Sequence, residues 1–547
     1  MNTKNSGSGT AAGADVPVLI AGGGPVGLAL AVELGRRNIE CVLVEKRDGS
    51  VPVPKMSQVS TRAMEFCRRW GIAEQVKKAV WSENHALDFV YLTSLTGHEL
   101  MRQKVPSYAE RGQLPYTPEG PSPCPQIYFD PILAARAKSF PSVTLRYNTG
   151  LESFEHDADC VHADLSDSET GKRETLIAGY LVGCDGPNGV VREGLGIELG
   201  GLGAIANSIN IFFRSPELAT RHDKGWARFY RLIDGTGCWA ELIAIDGVEL
   251  WRLTVFHETA RDFDARAFLR RAMGCDFAFE LISVLPWERR DFVAGKYGVG
   301  RVLIAGDAAH QCSPTGGLGM HTGIGEAVNI AWKLEAMIDG WGGPGLLDSY
   351  EAERQPLARH NVDISTLSYH NITGIPGSDA YDKDSAEGER QRKEFAALGS
   401  GVIKYSVNEF EKNVYGYENS PICVAEDAPA VAPESNTQSA RPGMRAPHAW
   451  IGEGRSTLDL FGDGFTLLRL GTPPVDGAGL MDAAAARGVP MTEIDIDDAA
   501  IAGLYETRLV LVRPDDHVAW RGDICPSDPM AMIDRVRGAE TGSKQRP

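Results

Sequence analysis

Several features that would name a chemistry outright are missing from this chain. It has ten cysteines but no Cys-x-x-Cys pair and no zinc-like cluster. That excludes a dithiol redox motif and a structural zinc module, and reads as reduced, mostly buried thiols in a cytoplasmic protein. Basic residues are in deficit: 55 Lys and Arg stand against 73 Asp and Glu, a net charge of −18. Nucleic acid and anionic membrane both need a basic face, so neither is expected as a partner. There is no secretory pattern; Met1 to Asp15 is polar and Gly/Ser-rich, and is expected to be a disordered leader. One apolar stretch, Val16 to Leu34, has membrane-like length. Its strand–glycine–helix order and the acid Glu33 near its end favour a folded α/β unit. Internal repeats are absent.

What the chain does contain is three glycine-rich signatures in a fixed order. In VLIAGGGPVGLALAVELG, Val16 to Ala21 reads as a buried strand and Pro25 to Arg36 as a helix, followed by a second strand, Cys41 to Glu45. Gly22 permits the tight turn, Gly24 lets the backbone approach a pyrophosphate, and Gly27 lets helix and strand pack closely. The pyrophosphate would rest on the helix N-terminus, and Glu45 ends the second strand where a carboxylate meets an adenosine ribose. The second signature is Asp185-Gly186 in LVGCDGPNGVVR.

The third signature, RVLIAGDAAHQCSPTGGLGMHTGIGEA, decides between NAD and FAD. A strand-end acid, Asp307 after Gly306, suits the ribityl hydroxyls that NAD lacks. The glycines of PTGGLGMHTG let a backbone lie against a planar ring. A helix expected from about Gly325 to Asp339 would aim its N-terminus at the reduced flavin's N1–C2=O edge.

With these residues in place, the chain resembles the FAD-dependent aromatic hydroxylases, most of all the longer phenol and substituted-phenol hydroxylases, from about Val16 to Arg521. The resemblance implies that Gly22, Gly24, Gly27 and Glu45 bind the AMP half of FAD. It implies that Arg62 and Gln126 contact the flavin nucleotide and that Asp185, with Gly186 and Arg192, serves both FAD and the nicotinamide. Gly306, Asp307, Pro314, Gly319, Met320 and His321 would hold the ribityl chain and ring. FAD is expected to be tightly but non-covalently bound, with NADPH or NADH as a transient co-substrate. Three positions depart from the family: Gly189 for Ser, His321 for Asn and Glu326 for Asp. His321 is read as neutral or as a cation favouring anionic reduced flavin, the neutral form being preferred.

The implied fold class is α/β: a discontinuous Rossmann-like FAD-binding domain, an antiparallel-sheet substrate domain and a C-terminal thioredoxin-like domain. The FAD pieces are placed at 16–80, 126–195 and 296–359. The substrate domain is placed at 81–125 and 196–295, with alternating stretches such as SINIFF and LWRLTVF as strands. A helical connection follows at 360–435, then the thioredoxin-like unit at 436–537 and a tail at 538–547. In the connection, Tyr415-Gly416-Tyr417 resembles a recurring turn of the longer hydroxylases, with packing as the preferred reading. LVRPDDHVAWRG matches the family's C-terminal ending; its role is read as structural, with a homodimer contact as one use.

The expected reaction is hydroxylation of a small phenol or catechol by O2 through a flavin C4a-hydroperoxide, with displacement of a nitro or halogen group as a refinement. A larger aromatic natural product such as a polyketide is the rival substrate. A non-oxygenating flavin reductase or dehydrogenase and an aromatic-sensing flavoprotein are the alternatives of other kinds. Pro314 and His321 are the catalytic candidates. Ser57, Gln58, Trp226, Arg228, Tyr230, Trp239 and His257 are the substrate candidates, with His85 behind them. No metal site is expected.

Overall fold

The computed structural model describes residues 13–51, 56–259, 263–402, 416–417, 419–426 and 438–539; most of the expected leader and tail, and Tyr415, lie outside them. The first sheet is built around Val16–Ala21, whose six residues are all buried. It is flanked in parallel by Arg173–Gly183 and Cys41–Glu45, and Val143–Tyr147 and Val302–Ile304 extend the sheet on either side. A strand covered on both faces has no solvent side, which explains a near-continuous apolar run. The hairpin of Thr149–His156 and Val161–Asp167 joins the sheet antiparallel to Arg173–Gly183.

The helix Pro25–Arg36 opens with proline, whose missing N–H costs nothing at a helix start, and stops at Arg37 before Asn38 turns left-handed at φ 57°. Its small residues allow close packing. An added Cβ on Gly35 would enter the Phe140 ring, and one on Gly323 of a second helix would enter Val26.

The second sheet has eight strands and is mainly antiparallel. Its order runs His310–Gln311, Glu280–Ala294, Leu199–Arg214, Leu250–Phe256, Gly237–Ala244, Phe229–Asp234, Phe89–Leu92, Glu99–Gln103. The alternation of its sequences gives it two faces. One, with Ile209, Ile211, Tyr230, Leu242, Trp251 and Leu253, packs against the helix Ala265–Met273. The other looks toward the first sheet's domain, where Ile127 packs on Phe212 and Ile243.

The C-terminal sheet runs Met491–Ile496, Phe465–Leu470, Leu509–Val512, Val518–Gly522. Its core is shared with the first domain: Trp332, Trp341 and Leu346 pack with Phe465, Leu467, Leu509 and Leu511. Each such fully buried large side chain stabilises the contact by roughly 1.5–3 kcal/mol.

The expected boundary at 359 falls inside one continuous helix, Asp348–Thr373. The helix expected from Gly325 begins at Leu318. Gly316 and Gly317, at φ 103° and 66°, make the sharp turn before it, so Gly319, Met320 and His321 occupy its first turn rather than a flat loop. Among the described residues no helix is long and apolar enough to cross a membrane.

Candidate active site

The three signatures converge at the carboxyl ends of the central parallel strands, where the sheets of such folds receive ligands. Gly22 has φ 108°, and a Cβ there would strike the Cys184 carbonyl. A Cβ on Gly27 would strike the Gly22 carbonyl. A Cβ on Gly24 would meet nothing within 4 Å, so the helix N-terminus opens onto free space at the one glycine whose role is to admit a ligand. The buried Glu45 carboxylate accepts the Gly23 N–H at 2.8 Å and the Arg47 N–H at 3.0 Å, which fixes the acid beside the glycine turn. This cradle fits the adenosine diphosphate half of FAD.

At the second signature one oxygen of Asp185 is held by the protein, while its Oδ1 is buried with no hydrogen-bond partner among the described residues. Its Oδ2 accepts the Val191 N–H at 3.0 Å at the start of a short helix, and burial raises its pKa. Gly189, the departure from Ser, has a clear reason: a Cβ there would collide with the Asp185 carboxylate. Gly186 is left-handed at φ 85° with open space where a Cβ would be.

At the third signature Asp307 stands exposed in the turn that follows Val302–Ile304. Behind it, fully buried Glu326 accepts the Gly306 N–H at 2.8 Å and lies 3.2 Å from His310 Nε2. Glu326 raises the pKa of His310 against the opposing effect of burial, which is the largest single influence. The departure from Asp thus supplies the reach that ties the helix to the Gly306 turn.

His321 Nε2 accepts the Ser60 N–H at 3.0 Å. Burial, with the Arg228 cation adding to it, pushes the imidazole down to about 4, against the raising effect of the Gly317 and Gln58 backbone. The ring is neutral and fastens the helix start to the segment containing Ser57 and Gln58. Gln58–Val59 is a two-residue strand paired with Ser122–Pro123, just before Gln126 opens the helix Gln126–Lys138. Ser57, Gln58, Gln126 and His321 therefore share one corner, and Pro314 is exposed beside it.

Arg62, which the resemblance places at the flavin nucleotide, is also tied to the C-terminal unit. Its guanidinium is 2.7 Å from Glu65 and 3.2 Å from Asp516, and it reaches the Asp515 carbonyl at 3.0 Å. The same loop carries Arg513, which pairs with Glu353 at 2.5 Å and Asp515 at 2.6 Å, all buried. Lys333 joins Glu353 at 2.8 Å, and Arg354 bonds both the Tyr417 hydroxyl at 3.2 Å and the Thr322 carbonyl at 2.7 Å. Tyr417, expected to pack, stacks on His517 at 4.2 Å. The C-terminal loop is thereby wired to Thr322, the neighbour of His321.

Three of the substrate candidates, Tyr230 and Trp239 in the sheet and Trp226 just before it, lie on the side of the sheet away from the first domain. Tyr230 is spent on the Ala227 N–H at 2.9 Å and the Gly225 carbonyl at 2.6 Å. Trp239 lies under Arg271, 3.9 Å from its ring, and Trp226 stacks on Trp251 at 5.5 Å with His85 beside it at 4.8 Å. All three belong to the far-side core. His257 is exposed, left-handed at φ 59°, and 3.5 Å from the Tyr369 hydroxyl. Arg228 lies over Phe229 at 4.7 Å.

The flavin-facing side instead carries buried polar residues that the sequence reading passed over. Arg231 pairs with Glu241 at 3.1 Å and bonds the Tyr91 hydroxyl. Thr254 donates to Asn210 at 2.9 Å. Arg252 is buried on the same face, and Arg289 reaches Ser313 and Thr315, on either side of Pro314. A charged residue in the middle of an apolar strand, as in FYRLID, AELIA and LWRLTV, was the available signal.

Residues 15–365 match the family model described as FAD binding domain, and residues 439–539 the one described as aromatic-ring hydroxylase, C-terminal. The rebeccamycin biosynthetic enzyme RebC, solved with reduced flavin, is 38% identical with a TM-score of 0.90, covering 96% of this chain and 99% of RebC. A candidate polyketide hydroxylase of Streptomyces halstedii is 33% identical over 92% of this chain and 93% of its own. The 2,4-dichlorophenol 6-monooxygenase of Cupriavidus pinatubonensis is 28% identical over 94% of each. The chain belongs to the FAD-dependent aromatic hydroxylases, and FAD is its cofactor.

Proposed function

We propose that this enzyme hydroxylates a fused-ring aromatic compound of the polyketide kind, drawing electrons from NADPH or NADH and one oxygen atom from O2. The observation that carries the reading is the polar centre of the sheet, buried Arg231, Asn210 and Thr254 with half-buried Glu241, on the side where Arg289 reaches Ser313 and Thr315 about Pro314. An oxygen-bearing ring system offers several groups to such a surface. Full-length likeness to the Streptomyces halstedii protein supports the same choice, and it exceeds the likeness to the dichlorophenol enzyme.

When bound, FAD supplies hydride acceptance and the activation of dioxygen. The chain does the rest. Gly22, Gly24 and Gly27 with the helix N-terminus hold the pyrophosphate, Glu45 holds the ribose, and Asp307 holds the ribityl chain. Ser57, Gln58, Pro314 and the first turn with Gly319, Met320 and His321 frame the ring. The sheet covers the substrate, excludes water and keeps an ionisable ring hydroxyl where it can lose its proton.

The reading is tested by rapid mixing of the holoenzyme with NADPH or NADH, 18O2 and two panels, hydroxyanthraquinones and chlorophenols or nitrocatechols. A fused-ring compound should speed flavin reduction and gain one labelled oxygen. Turnover of the single-ring panel alone would return the substrate to a simple phenol. Reduction with no label in any product would mark a reductase. Reduced thiols support a cytoplasmic setting, and light scattering decides whether the holoenzyme is a homodimer.

A further inference from the structure

Among the described residues, Arg289 is a buried cation with no anion beside it. It is 2% exposed, and its bonds go to neutral oxygens: Nε to Ser208 at 3.1 Å, Nη1 to Ser313 at 3.0 Å and to Thr315 at 3.1 Å. Aromatic faces supply the rest of its surroundings, with Tyr369 at 4.4 Å, Trp287 at 4.5 Å and Phe256 at 5.2 Å. No carboxylate lies within ion-pairing distance, and its Nη2 makes no hydrogen bond among the described residues. Burial accordingly pushes the guanidinium down to about 10; Tyr369 and Glu241 act to raise it and Arg252 to lower it. A buried charge left unpaired is costly, and proteins keep one where a ligand completes it.

A second observation points to the same place. The Trp287 indole, whose ring carries the Arg289 guanidinium, has a buried Nε1–H with no hydrogen-bond partner among the described residues. Two unspent donors thus stand together on the flavin-facing side of the sheet, and Arg289 touches the residues before and after Pro314.

We propose that Arg289, with Trp287, receives an anionic oxygen of the aromatic substrate at the Pro314 edge. This rests on the fused-ring reading above and deepens it, since it makes the preferred substrate an acid: a ring carrying a carboxylate or an ionised phenol. Both sources present the same chemistry, an oxygen anion in the ring plane that a guanidinium and an indole N–H can share. The hydroxyls of Ser208, Ser313 and Thr315 orient the cation without neutralising it.

The test reads binding through the FAD absorption of the holoenzyme, with oxygen incorporation measured separately on the same samples. The carboxylate arm compares anthraquinone-2-carboxylate with anthraquinone-2-carboxamide. The wild type should favour the anion at least tenfold. Arg289→Gln should erase that preference while leaving carboxamide affinity intact, and Arg289→Lys should keep part of it. The phenolate arm follows the colour change of alizarin, whose bound hydroxyl should ionise at least one pH unit below the free dye. Selectivity in only one arm identifies the source. The proposal is overturned if the wild type shows no preference in either arm, or if Arg289→Gln retains it. Should Arg289→Gln lose its FAD, Arg289→Lys and the wild-type alizarin titration still decide. Selectivity lost with Arg289 supports the anion site even if no label is incorporated, an outcome that would sink only the hydroxylase reading.

Discussion

The Ser60 N–H donates to Nε2 of His321 at 3.0 Å, so the neutral ring carries its proton on Nδ1, and burial is what keeps it neutral. The folded-state pKa of about 4 lies below the ordinary 6.5. The unfolded chain therefore takes up a proton first as pH falls, and the stability tied to this histidine, whole above about 6.5, is lost between 6.5 and 4. His310, raised by Glu326, contributes in the opposite sense, at a pH above its ordinary value. We expect His321→Asn to keep FAD and to flatten the melting-temperature curve between pH 4 and 6.5. An unchanged acid limb would show that the neutral ring has no such role.

Gly24 and Gly27 separate binding from folding. A methyl at Gly24 meets no protein atom, whereas one at Gly27 meets the Gly22 carbonyl. Gly24→Ala should melt like the wild-type apoprotein yet bind FAD at least tenfold more weakly by flavin fluorescence. Gly27→Ala should fail in both measurements. Equal FAD affinity in Gly24→Ala would move the pyrophosphate elsewhere.

The ion pair of Arg513 with Glu353 is buried on both sides. Removing one partner should cost about 3–5 kcal/mol in urea unfolding. Replacing both, Arg513→Met with Glu353→Leu, should cost less than the two single changes together. Because Arg354 links this cluster to Thr322, Arg513→Met should also weaken FAD binding. Destabilisation with FAD affinity unchanged would confine the cluster to holding the domains together.

Glu326→Asp restores the family's usual residue but shortens the arm that accepts the Gly306 N–H. Leaving that buried donor unmet should cost roughly 1–3 kcal/mol by thermal or urea unfolding. Stability equal to wild type would mean that the turn relaxes to meet the shorter side chain.

Local grammar was legible in the sequence. The strands at 16–21 and 41–45 and the helix at 25–36 fall where glycine, proline and apolar spacing placed them. The helix at Leu318 was harder to see, because Gly319 and Gly323 in its first two turns suggest a loop, while close packing against Cys312 and Val26 is what favours glycine there. The roofing sheet exposed a different limit. Aromatic residues drew attention in FYRLID and GCWAELIAI, but the period of two sends Tyr230 to the far core and Arg231 to the flavin side. Which parity faces the cofactor is set by the packing of another domain.

The sequence by itself determined the cofactor and the family, because a pyrophosphate-binding turn demands glycines at set spacings, and the strand-end Asp307 with its glycine-rich loop adds the ribityl and ring requirements that select FAD over NAD. Only the tertiary structure decided what covers the ring. Arg62 reads as a nucleotide contact and LVRPDDHVAWRG as a structural ending until the chain brings Arg62 and Asp516 together, and Arg289 reads as one arginine among many. Long-range pairing places Arg289 beside Ser313 and away from any acid, and the electrostatics of a buried charge depend on neighbours distant in sequence.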